Sequence, residues 1–73
     1  MSVSMVFVKN KIEFQYVSDQ KKILIFDIKA DKALPTYSLP DESKELDKDT
    51  FIDLCHHIRN QIDKGRQTNK IKI

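Results

Sequence analysis

A chain of 73 residues holds one domain at most, and at this length it buries only about 60% of its extended-chain surface, so its core is marginal. Its single cysteine excludes an internal disulfide, its single glycine excludes a phosphate-cradling glycine loop, and its longest apolar run, Ile23–Phe26, is far too short to cross a bilayer. A third of the residues are charged yet the net charge is +2, well short of the basic balance of a dedicated duplex-DNA binder.

The charge is unevenly spread. Residues 1–40 hold six lysines against four acids, residues 41–53 hold two lysines against six acids, and residues 54–73 hold five basic residues against one acid. An acidic segment followed by a basic end is the asymmetry that a partner would read. The lone cysteine and the lack of an apolar N-terminal run point to a cytoplasmic chain, or a nucleoid or nuclear one if it binds nucleic acid.

In chain order, "MVFV" (5–8) is β-branched and aromatic, and "IEFQYV" (12–17) alternates with Ile12, Phe14 and Tyr16 on one face and Glu13 and Gln15 on the other. Period two over six residues predicts a half-buried strand. Asn10 in the intervening "KNK" suits the left-handed position of a tight turn. "KKILIFDIK" (21–29) follows a polar turn and puts Leu24, Phe26 and Ile28 on one face, Ile23, Ile25 and Asp27 on the other. The first set is expected in the core, and the half-apolar second set, with Val17, is expected to drive self-association. Pro35 and Pro40 bracket "TYSL", which reads as a short edge strand or an extended loop, and "DESKE" (41–45) as a solvated acidic loop.

A helix follows. Asp47 is a good N-cap, Leu46 stands where a hydrophobic staple onto Phe51 needs it, and Phe51, Leu54, Cys55, Ile58 and Ile62 recur at three- and four-residue spacing. Gly65 suits a left-handed C-terminal cap. The expected fold is α+β: a three- to four-stranded antiparallel meander and one C-terminal helix packed on one face. Residues 1–65 form the domain and 66–73 a basic, flexible tail. The core is expected from Phe7 or Val8, Ile12, Phe14, Tyr16, Leu24, Phe26, Ile28, Phe51, Leu54, Ile58 and Ile62.

Cys55, His56 and His57 are adjacent and invite a metal or thiol reading. On a helix, successive residues diverge by about 100°, so the three cannot hold one ion together. Cys55 falls on the apolar stripe and fills core volume, while both imidazoles are expected to face water, where Asp53 can pair with either. A site built from Asp49, Asp53 and one histidine would need ligands from elsewhere. No catalytic residue, metal ligand or cofactor is assigned.

The remaining polar signal is basic. Lys9, Lys11, Lys21, Lys22 and Lys29 stand at turns and strand ends, and Arg59, Lys64 and Arg66 lie late in the helix and beyond. Together they are the candidate nucleic-acid contacts, with Phe14, Tyr16 or Tyr37 able to stack on bases if exposed. "KKILIFDIK", preceded by "IEFQYV" and followed by "ELDKDTFIDLCHHIRNQID", resembles the positive-cofactor transcriptional coactivators, of the whirly-like, single-strand-binding class, over roughly residues 12–63. The resemblance implies a homodimer packed through its helices, with sheets gripping single-stranded nucleic acid and Lys21, Lys22 and Lys29 touching the backbone. The expected function is a small non-enzymatic module that binds single-stranded nucleic acid or works in transcription, as a homodimer away from membranes. The alternative is a protein-binding adaptor or inhibitor of the phage or mobile-element type. Its contact would be the acidic 41–53 segment or "KIKI" (70–73) added to a partner's sheet edge.

Overall fold

A computed structural model describes residues 2–65. The expected basic tail, including Arg66 and Lys70–Ile73, lies outside the described residues. Five elements follow in order: β1 (Met5–Lys9), β2 (Ile12–Val17), β3 (Lys22–Asp27), β4 (Lys32–Ser38) and α1 (Lys48–Asp63). The strands form one sheet in the order β1-β2-β3-β4, every neighbour antiparallel. The helix lies across one face, so the expected meander and roof are present.

Turn chemistry sets the register. Asn10 and Lys11 both take positive φ, 51° and 67°, the paired left-handed conformation whose twist matches two flanking strands. That hairpin aligns Phe7 with Phe14. Between β2 and β3 a short 3-10 turn, Ser18–Gln20, closes on Lys21 at φ 51° and aligns Tyr16 with Ile23 and Phe14 with Ile25. β4 is an edge strand, and its pairing shifts by one residue between Ile23 and Ile25. The irregularity admits Pro35, which has no N–H to give a ladder.

This register corrects the expected core. Residues directly opposite in an antiparallel pair share a face, so Ile23 and Ile25 must join Phe14 and Tyr16. The helix covers Ile12, Phe14, Tyr16, Ile23, Ile25, Phe51, Cys55 and Ile58 as one buried cluster. Leu24 and Phe26, expected inside, lie half-buried on the opposite face, and Ile28 lies in the following turn at 42% exposure. Val17, expected on the open side, is fully buried. Phe7, Leu54 and Ile62 pack around the cluster as half-buried neighbours, while Val8 is exposed.

The helix begins and ends as its sequence asks. The Asp47 carboxylate accepts the Thr50 N–H at 2.8 Å, and Leu46 packs against the cluster that contains Phe51. Gly65, at φ 79°, donates its N–H to the Ile62 carbonyl at 2.9 Å. The buried Tyr16 adds a tie with no sequence signal: its hydroxyl accepts the Leu46 N–H at 3.1 Å, anchoring the chain just before the helix.

Candidate functional site

The meander gathers basic residues at the end that carries both two-strand turns. Lys11 sits in the β1–β2 turn and Lys29 in the β3–β4 turn, and the Ile28 N–H donates to the Lys11 carbonyl at 2.9 Å, locking the two turns side by side. The last turns of α1 bring Arg59 and Ile62 to the same end. Between these elements lies a cleft of about 530 Å³ lined by Asn10, Lys11, Ile12, Asp27, Lys29, Arg59 and Ile62. Lys32, paired with Asp27 across the sheet, adds a further cation at this end.

Arg59 is the most restrained group in the cleft. Its side chain is 14% exposed and one guanidinium nitrogen stands 2.7 Å from the Asp63 carboxylate one helical turn on. A second nitrogen reaches the Asn10 carbonyl at 3.5 Å, and Nε is buried without a hydrogen-bond partner. Asp27 is the acid on the cleft wall, and its carboxylate accepts the Ala30 N–H at 3.0 Å, which shapes the β3–β4 turn. Two lysines and an arginine against Asp27 and the Asp63 carboxylate that pairs with Arg59 leave a small positive excess carried by Lys11 and Lys29, whose flexible ammonium groups suit phosphate oxygens.

The other sequence candidates scatter. Lys9 lies on the helix-covered side of β1, where its ammonium donates to His56 Nδ1 at 2.9 Å. Lys21 is at the opposite end of the sheet and donates to the Ser43 carbonyl at 2.7 Å, tying down the acidic loop. Lys22 lies at that far end too, on the open face. Lys64 is exposed at the helix C-terminus. Of the eight expected contacts, then, Lys11, Lys29 and Arg59 converge; Asn10, Asp27 and Lys32 join them without having been expected. Only the pairing of two turns distant in sequence could reveal that cluster.

The Cys-His-His run splits three ways. Cys55 is fully buried, and burial pushes its thiol up to about 12, so it is a neutral core group rather than a nucleophile. His57 is exposed, as expected. His56 is a correction: it is half-buried, edge-on to Phe7 with ring centroids 5.5 Å apart, and held by Lys9. Because an ammonium only donates, His56 accepts through Nδ1 and carries its proton on Nε2. The helix sits over β1, which brings this imidazole onto the sheet edge instead of into water. Asp53 is exposed on the far side of the helix stripe.

The stacking aromatics are unavailable on the covered face, since Phe14 and Tyr16 are fully buried. The uncovered face has its own character. Val6 and Val8 are 55% and 51% exposed, and a shallow trough of about 430 Å³ runs among Glu13, Gln15, Leu24, Phe26, Ala33 and Thr36. Among the described residues, no helix is long and apolar enough to cross a membrane. No family model matches this chain, and neither a curated protein nor a solved structure is significantly similar to it.

Proposed function

We propose that the protein is a small non-enzymatic binding module that holds the backbone of a single-stranded nucleic acid at the basic end of its sheet. One observation carries the reading: Lys11, Lys29 and Arg59, from three separate elements, surround one positive cleft. Phosphate contacts release condensed counterions, so such binding is strong at low salt and falls steeply as salt rises. The positive-cofactor resemblance also implies single-strand binding, and of the lysines it nominates, Lys29 belongs to this cleft while Lys21 and Lys22 do not. Contact at the sheet end rather than across the sheet accords with the open face, whose trough is lined mainly by apolar side chains and carries the acid Glu13.

Fluorescence anisotropy with a labelled oligothymidine tests the reading. The logarithm of the association constant is expected to fall linearly with the logarithm of salt. Lys11→Ala and Lys29→Ala are each expected to reduce that slope by about 0.7, the share of one single-strand phosphate contact. Lys44→Ala, in the acidic loop, is expected to change neither slope nor affinity. Absence of binding at low salt overturns the reading.

A second reading rests on a different surface. Asp41, Glu42, Glu45, Asp47, Asp49 and Asp53 are all exposed along one loop and the first helical turns, which favours an adaptor that meets a basic protein partner. Capture of such a partner after nuclease treatment, lost when Glu42 and Glu45 are both changed to lysine, would support it.

A further inference from the structure

The uncovered face of the sheet carries a charge pattern that selects its own occupant. Along the central strands its outward residues are Glu13 and Gln15 on β2 and Lys22, Leu24 and Phe26 on β3, with Glu13 opposite Phe26; Val17, opposite Lys22 in register, is fully buried and adds no open surface. Glu13 therefore marks the end of the face nearest the basic cleft, and Lys22 marks the other end, about 13 Å away at the rise of a strand. Between them lie Leu24 and the Gln15 side chain, which donates to the Glu13 carboxylate at 2.7 Å and holds it on this face. Val6 and Val8 extend the apolar surface onto β1, and both are more than half exposed.

We propose that this face is the interface of a symmetric homodimer, with two sheets stacked so that their strands run in opposite senses. Stacked sheets keep their strands roughly aligned, and a two-fold axis between them can lie either along the strands or across them. An axis along the strands lays Glu13 toward the partner's Glu13 and Lys22 toward the partner's Lys22. An axis across the strands exchanges the two ends, so Glu13 approaches the partner's Lys22 twice over, and the apolar centres still meet. Like charges across an interface are costly and opposite ones fix the register, so the second arrangement is selected.

The partner is a second copy for two reasons. The surface is self-complementary in charge about its own centre, and a chain of this length without a disulfide gains its missing burial most directly from a partner subunit. Four strands by six residues cover roughly 19 by 20 Å, about 380 Å² per partner, which is in the range of weak, transient interfaces, so the dimer is concentration-dependent and forms only at high concentration. Crossing the strands end for end also places the two basic clefts at opposite poles, both open. This interface uses the sheets and leaves the helices outside.

Sedimentation equilibrium of the full chain without nucleic acid tests the proposal. A mass of twice 8.6 kDa is expected at several hundred micromolar, dissociating on dilution. Glu13→Lys and Lys22→Glu are each expected to weaken the dimer about tenfold, because symmetry turns two attractive pairs repulsive at once. The double variant is expected to restore wild-type association. Val8→Lys, at an exposed position that leaves the fold intact by circular dichroism, is expected to dissociate the dimer. A monomer at every concentration overturns the proposal. So does a dimer that the single charge changes leave untouched.

Discussion

Cys55 shows how burial decides what a reactive side chain is. With its thiol fully enclosed by the sheet and held near 12, the folded chain keeps the proton well above the ordinary value of 9.0. Below about pH 9 both folded and unfolded chains carry that proton, and the stability linked to it is fully present. Above it the unfolded chain ionises while the folded chain does not, so stability falls as pH rises toward 12. The urea midpoint is expected to drop between pH 8 and 10.5 more steeply for the wild type than for Cys55→Ala, by up to one proton. Equal slopes in the two proteins would show that the thiol ionises in place. The neighbouring His56 teaches the converse. Its spacing from Cys55 indicated a direction away from the core, yet the helix leans over β1 and Phe7 and Lys9 receive it.

At the scale of elements, local chemistry governs the ends and leaves the faces undecided. The Asp47 carboxyl is held below its ordinary value by the hydrogen bond from Thr50, so its cap is in force above pH 3.8 and is lost as pH falls through the lowered value. Asp47→Ala is therefore expected to lower the melting temperature at pH 7, and the gap to wild type is expected to narrow as the solution is acidified below pH 4. A gap that persists unchanged in acid would assign the effect to helix propensity instead of to the charged cap. Cap, staple and C-terminal glycine were all legible in the sequence because each rests on residues within five positions of one another. The strand face of β3 was not. Ile23–Phe26 is apolar on both sides, so alternation carries no information there, and only the Phe14–Ile25 pairing decides which side faces in.

Over the whole molecule, the sheet is a wall with one roofed side. Phe51 is buried beneath the helix and Phe26 is half-buried on the open side. Phe51→Ala is expected to cost about 3–5 kcal/mol, a large share of the stability of so small a domain. Phe26→Ala is expected to cost about 1 kcal/mol in dilute solution, where its surface is only partly withdrawn from water. Urea unfolding at low micromolar concentration separates the two; equal losses would show that both faces are covered. The two surfaces left over differ in chemistry. The positive cleft at the turn end offers donors for phosphate, and the open face offers apolar area ordered by a charge at each end.

What the sequence determined by itself was the kind and order of the elements, their caps, and the inward thiol, because period, capping residues and helical angle are properties of neighbouring positions. What only the tertiary structure decided was register and convergence: that Ile23 and Ile25 go inside while Leu24 and Phe26 do not, that His56 meets Lys9, and that Lys11, Lys29 and Arg59 share a cleft. Each of those facts depends on residues far apart in the chain. Left-handed turns at Asn10, Lys11 and Lys21 bring the strands into one alignment, and a slip of a single residue would have reversed every face.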